Sequence, residues 1–147
     1  MNIRSATRDD SHHWSRMRDC LWPESRSINT SEIENFFSNS SNYKRECFLI
    51  EDKGSPIGFI ELNIRNHAEG SIHVEIPYVE GWYIDQEFRG KGLGRKLMAQ
   101  AQAWATQHGF AELASDAEID NGPSIMAHKK LGFKEKARIV CFLKELT

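Results

Sequence analysis

"QEFRGKGLGRKL", Gln86 to Leu97, sets Gly90, Gly92 and Gly94 among basic and apolar residues. A strand-like run, Tyr78–Asp85, stands before it. A helical pattern follows, with Leu93, Leu97, Met98, Ala101, Trp104 and Ala105 on one face, and ends before Gly109. Without side chains, the glycines let backbone N–H groups approach an anion closely. The helix adds unpaired N–H groups and the positive end of its dipole. Arg89, Lys91, Arg95 and Lys96 add charge, and no acid occurs between Arg89 and Lys96. Strand, glycine turn and helix together read as a phosphate cradle. A P-loop would need GxxxxGK[ST], which is absent. A Rossmann turn would need GxGxxG directly after a strand, but here the spacing is GxGxG and Gln86–Arg89 intervene. A nucleic-acid patch would bring more basic clusters and stacking aromatics. On the loop alone, a solvated turn with a basic helix start stays open.

Working outward, Asn2–Ser5 reads as a first strand. Thr7 caps a helix to about Leu21, with Asp9 and Asp10 in its first turn and Pro23 as its stop. Ser31 and Glu34 form a capping box for a short helix that buries Ile33, Phe36 and Phe37. Glu46–Glu51 and Pro56–Ile64 flank Asp52-Lys53-Gly54-Ser55, a hairpin turn. Ser71–Pro77 precedes Tyr78–Asp85 as a further strand. Ala111–Ser115 is a short strand, and a helix runs from about Pro123 to Leu131, closing at Gly132. Phe133–Leu146 supplies one or two last strands. The order, β-α-α-β-β-β-β-α-β-α-β, predicts an α/β sandwich around one mixed sheet.

The 147 residues predict one domain, long enough to bury a core without staples. Nineteen Lys and Arg against 21 Asp and Glu give a net charge of −2, so no global field points to nucleic acid or a membrane. No 18-residue apolar run exists to span a bilayer, and MNIRSATRDD lacks the apolar core of a secretory signal. Cys20, Cys47 and Cys141 are odd in number and form no CxxC, so neither a zinc nor a redox motif is expected. They read as reduced, mostly buried thiols of a cytoplasmic protein.

Arg89-x-x-Gly92-x-Gly94 matches the (Q/R)xxGx(G/A) signature of the GNAT superfamily of N-acetyltransferases, and "HKKLGF" follows in the expected order. The resemblance covers roughly Glu46 to Phe142. It implies the GNAT fold: an α/β (α+β) domain with a central mixed, mostly antiparallel sheet and helices on both faces. It implies acetyl-CoA as co-substrate, with no metal. The pyrophosphate would lie on Arg89, Gly90, Lys91, Gly92, Leu93, Gly94 and Arg95. The backbone of Trp82, Tyr83 and Ile84 would pair with the pantetheine arm. Gly81, within that strand, suits a bulge or a close backbone approach. Many members carry a tyrosine four residues before the glycine of "LGF" as proton donor to the leaving thiolate. Here that position is His128, which can donate near neutral pH. Asn121 resembles a coenzyme contact and equally suits a helix cap.

An acceptor amine must lose a proton before it attacks a thioester, and a carboxylate can take it. Glu80 lies in an apolar strand beside Gly81-Trp82-Tyr83. Glu112, Asp116, Glu118 and Asp120 form an acidic segment that contains no base. A positive cradle with acids nearby suits an anionic donor and a polycationic acceptor. "CLWPE", "VEGWYI" and "ASD" resemble the aminoglycoside 6′-N-acetyltransferases nearly end to end. That likeness implies Trp22 packing on a sugar ring, Glu80 binding and deprotonating the 6′-amine, and Asp116 holding another ammonium. His67 falls near a substrate contact of the family. Glu135 would be the acid that reaches a partner subunit's substrate. It also implies a homodimer joined through C-terminal strands. The residues themselves leave open another amine, such as a protein N-terminus, a lysine or a polyamine. They also leave open a non-catalytic acetyl-CoA-binding module.

Overall fold

The computed structural model describes residues 1–38 and 44–147. β1 (Asn2–Ser5), β2 (Arg45–Asp52), β3 (Ser55–Arg65), β4 (Ile76–Ile84) and β5 (Ala114–Ser115) form one sheet in the order β1-β2-β3-β4-β5. Every pairing is antiparallel except β4 with β5. Between β2 and β3, Lys53 and Gly54 adopt φ of 52° and 80°. Two successive positive φ values match the twist of a tight hairpin, as the Asp-Lys-Gly-Ser turn predicts.

Alternation along the strands divides the core between two faces. Phe48, Ile50, Ile60, Leu62 and Val79 pack against α3 (Leu93–Gln107) through Leu93, Leu97, Met98, Ala101 and Trp104. Cys47, Leu49, Phe59 and Tyr83 pack against Trp14 and Met17 of α1 (Ser11–Leu21) and Ile33 of α2 (Arg26–Ser38). The sheet is therefore covered by helices on both faces, as expected. α4 (Gly122–Lys130) joins the α3 side, where His128 meets the edge of the Trp82 ring. No helix among the described residues is long and apolar enough to cross a membrane.

Several sequence expectations are corrected. Thr7 is the N-cap with Asp9 and Asp10 in the first turn, as expected, but that turn, Arg8–Asp10, is a 3-10 turn leading into α1. Asp10 accepts from the Thr7 N–H at 2.8 Å and pairs with Arg4 at 2.7 Å. The Arg4 hydrogen bond is the main cause holding its carboxyl down to about 2. α2 begins at Arg26, so Ser31 and Glu34 lie inside it rather than capping it. Buried Asn29 donates its side-chain N–H to Asp19 at 2.8 Å, and its backbone carbonyl accepts from Arg18 at 3.3 Å. These ties to α1 carry the helix back beyond the local capping signal.

β4 starts at Ile76, and residues 71–75 form no strand. Ile72 and Val74 alternate as a strand would, yet are 95% and 79% exposed. β5 shrinks from the expected Ala111–Ser115 to Ala114–Ser115. Phe133–Leu146 has no regular structure, so the expected last strands are absent among the described residues. Ile139, Val140, Phe142, Leu143 and Leu146 all lie exposed there. Of the three thiols only Cys47 is buried; Cys20 on α1 and Cys141 in the C-terminal segment are exposed.

Candidate active site

β4 carries the site because it changes partners along its length. β5 pairs with it only at Tyr78 and Val79. From Glu80 to Ile84 that edge of β4 has no strand beside it among the described residues. A one-residue irregularity coincides with the opening: Glu61 faces Gly81 and Leu62 faces Val79, which leaves Glu80 as the extra residue of a bulge. Bulges re-aim side chains where a ladder ends. Gly81 explains itself by proximity. A Cβ there would come within 2.6 Å of Trp22 Cη2, so glycine admits the indole against the strand.

On the donor side, Trp82, Tyr83, Ile84, Phe88, Arg89, Gly90, Gly92, Leu93, Gly94 and Ala127 line one cleft of about 230 Å³. Gly90 and Gly92 both have φ of 79°, in the region that favours glycine. Gly94 is small for another reason. A Cβ would sit 3.3 Å from the Trp82 ring, and Trp82 Nε1 donates to the Gly94 carbonyl at 3.0 Å. Arg89 Nε donates to the Ile84 carbonyl at 2.7 Å, which ties the turn to the end of β4. Lys91 and Arg95 are exposed at the turn. Gly92 is the N-cap of α3, so the N–H groups of Leu93, Gly94 and Arg95 are those a helix leaves unpaired. The first backbone bond into the helix is from Lys96 N–H to the Gly92 carbonyl, at 3.2 Å. Free amides, a positive dipole end and an open strand edge fit a diphosphate with an extended amide-bearing arm.

His128 closes this side from α4. Its Nδ1 lies 2.7 Å from the Ser124 carbonyl, which only accepts, so Nδ1 carries the proton. In the neutral ring Nε2 then accepts from the Ser115 hydroxyl, 2.7 Å away. Only the imidazolium has a proton to give at Nε2. Asn121 caps α4, its side chain accepting from Ser124 N–H at 3.2 Å.

At the bulge Trp22 lies against Gly81, next to Glu80 in sequence, and Asp116 is linked to Glu80 through Tyr78 and Arg65. Trp22 ends α1, lies over Gly81 and meets Phe59 edge-on. The Arg18 guanidinium is 4.9 Å from the indole centroid, and Arg18 Nε lies 2.8 Å from Glu61. Burial pushes the Glu61 carboxyl up to about 7, against the opposing pull of Arg18. Glu80 accepts from Arg65 Nε and Nη2 at 2.7 and 2.6 Å. Asp116 accepts from the Tyr78 hydroxyl at 2.9 Å. Desolvation first, then this bond, pushes the Tyr78 hydroxyl up to about 12. His67 and Glu135 are not drawn into this group: His67 meets Glu69, while Glu135 pairs with Arg138 and Lys129 on the surface.

Arg65, Tyr78, Phe88, Ala127 and Ser115 were not singled out from sequence. Phe88 sits within the quoted turn, and Tyr78 begins the strand that carries Glu80. Nothing local marks Arg65, Ala127 or Ser115.

A sheet parted beside a glycine-rich helix start, with a carboxylate on the strand between, is the arrangement of an acetyltransferase fold. The chain belongs to the GNAT family of acetyltransferases, whose model matches residues 12–133. It is 35% identical over 146 residues to an aminoglycoside N(6′)-acetyltransferase type 1 of Klebsiella aerogenes, covering 98% of this chain and 96% of that one. A second relative of the same name, from Stenotrophomonas maltophilia, is 32% identical over 95% of this chain and 90% of its own. The crystal structure of the apo aminoglycoside 6′-N-acetyltransferase AAC(6′)-Ig from Acinetobacter haemolyticus superposes with a TM-score of 0.90 at 29% identity, covering all of both chains. AAC(6′)-Iy bound to a bisubstrate analogue, CoA-S-monomethyl-acetylneamine, gives 0.89 at 28% identity, covering 99% of this chain and 98% of that one.

Proposed function

We propose that this chain is an aminoglycoside 6′-N-acetyltransferase that moves an acetyl group from acetyl-CoA to the 6′-amine. The observation that carries the reading is on β4: the donor cleft starts at Trp82 and the acceptor-side carboxylate is Glu80, with only Gly81 between them. Relatives across nearly the whole chain bear that activity in their names. Acetyl-CoA supplies the thioester that the amine attacks directly. Backbone N–H groups of Gly90 to Arg95 and the start of α3 hold its diphosphate, and the open edge from Trp82 to Ile84 holds its arm. Glu80 takes the proton from the 6′-ammonium, Asp116 holds a second ammonium, and Trp22 packs on a sugar ring. His128, as imidazolium, gives the Nε2 proton to the leaving thiolate. Asn121 is assigned a coenzyme contact, His67 a substrate contact, and Glu135 a reach to the substrate of a partner subunit. The test is thiol release from acetyl-CoA over a panel of amines. Kanamycin and tobramycin are expected to turn over well above spermidine and peptides. Turnover confined to peptides or polyamines would reassign the acceptor, and coenzyme binding with no thiol release would make the chain a binding module.

The enzyme works in the cytoplasm, as a homodimer. Support for the dimer comes from the C-terminal segment, where Phe142 and Leu143 are 92% and 95% exposed. Apolar side chains in such a run call for a cover, and the unpaired side of β5 offers a partner strand a place. Replacing both Phe142 and Leu143 with Asp is expected to raise the dimer dissociation constant at least about tenfold, since each ring or branched chain contributes about 1.5–3 kcal/mol when buried. Sedimentation velocity reads the result, and an unchanged dimer would place the interface elsewhere.

A further inference from the structure

We propose that Arg65 is a resident counter-ion of the acceptor site, occupying the place of an acceptor ammonium until a polycation displaces it. The inference rests on the acceptor reading above and adds to it a residue that sets the affinity threshold for the acceptor.

Arg65 is the last residue of β3. Its guanidinium grips both oxygens of Glu80, at 2.7 and 2.6 Å. It also lies 3.6 Å from the centroid of the Tyr78 ring, whose hydroxyl is bound to Asp116. Glu80, then Tyr78 and Asp116, act to keep it charged. A carboxylate, an aromatic face and a second acid are what would hold a substituted ammonium. The chain fills that box with a cation of its own. Arg65 takes one lone pair on each Glu80 oxygen and places a full positive charge against them, so an incoming ammonium is repelled unless it displaces the guanidinium, and binding is an exchange of one cation for another.

The exchange is feasible because the pair is only half buried, with side-chain exposures of 39% for Arg65 and 26% for Glu80. The two-pronged geometry makes the pair stronger than an ordinary surface pair, but both partners stay open to water and to a competing cation. At the end of its strand, Arg65 can swing outward without breaking the ladder. A ligand with several ammonium groups wins the exchange by engaging Glu80 and Asp116 together, whereas a monoamine has only one contact to offer. Arg65 therefore raises the threshold for binding by the same amount for every cation that engages Glu80, a threshold that a second contact at Asp116 helps a polycation to clear.

The test compares wild type with Arg65→Gln and Arg65→Lys, using kanamycin as acceptor and thiol release as the readout. Arg65→Gln is expected to lower the kanamycin KM about fivefold, the order expected for removing a partly exposed pair, and to leave the acetyl-CoA KM unchanged. A simple monoamine that engages Glu80 should improve by a similar factor, since it displaces the same pair. Arg65→Lys keeps the charge but loses the two-pronged grip, so its KM should fall between the others. A kanamycin KM that is unchanged or higher in Arg65→Gln overturns the proposal, as does Arg65→Lys behaving like wild type, which would leave only a field effect. Melting curves show that the variants are folded. If wild type releases no thiol with any aminoglycoside, the acceptor reading itself has failed and this inference falls with it. Wild-type turnover with a KM that Arg65→Gln does not lower sinks this inference alone.

Discussion

Glu80→Gln is expected to cut kcat/KM for kanamycin about a hundredfold, the lower range for removing a general base, while acetyl-CoA affinity stays the same. The separation follows from position. Glu80 is the bulge residue of β4, before the donor edge begins at Trp82. Glutamine keeps the size and can still accept a hydrogen bond from Arg65, so the bulge and the open edge should survive. What it lacks is a charge to attract an ammonium and a basic oxygen to take its proton. The measurement is steady-state thiol release with kanamycin, beside calorimetric titration with coenzyme A. Turnover equal to wild type across pH would remove Glu80 as the base. A matching loss of coenzyme affinity would mean that the substitution had disturbed the strand instead.

The parts of this site that were legible in the sequence are those whose function is written in local backbone chemistry. Gly90, Gly92 and Gly94 announced a turn that side chains would obstruct, and the helix after them announced free amides. Gly81 inside a strand announced a bulge or a close approach. The bulge falls one residue earlier, at Glu80, and the close approach is made by Trp22. The distant partner could not be named from a period of two or of 3.6 residues. Arg65 meets Glu80 only because β3 and β4 run antiparallel, with Arg65 opposite Ile76. Sequence spacing gives no such register before the hairpin is known.

The misread elements share a cause: a periodic pattern specifies a face without saying what covers it. Ile72 and Val74 alternate like a strand but point to water, and the C-terminal apolar residues do the same. A strand needs a ladder partner for its N–H and C=O groups, and in the chain taken alone neither segment has one among the described residues. α2 errs in the opposite direction. Ser31 and Glu34 are a sound local start signal, but buried Asn29, whose side chain donates to Asp19 and whose backbone carbonyl accepts from Arg18, extends the helix past it. Tertiary bonds to a neighbouring helix outweigh a cap in water.

Gly92→Val is expected to weaken acetyl-CoA binding about tenfold or more, while the protein stays folded. A Cβ at Gly92 would meet nothing within 4 Å, so crowding is not the reason. The reason is the backbone: φ is 79°, where a β-branched residue is strongly disfavoured. Valine would pull φ negative. Because Gly92 is the N-cap of α3, that rotation re-aims the amides of Leu93, Gly94 and Arg95, the groups assigned to the diphosphate. Two or more misdirected hydrogen bonds to a charged ligand, each contributing about 1.5–3 kcal/mol, are enough for the loss. Gly109→Val separates strain from binding. Gly109 follows α3 at the far end, has φ of 83°, and likewise offers a Cβ open space, with nothing within 4 Å. It should lower the melting temperature by a comparable amount without touching coenzyme affinity. If both variants melt lower and both bind acetyl-CoA as wild type does, the amides at the start of α3 do not hold the donor, and the cradle must lie elsewhere along β4.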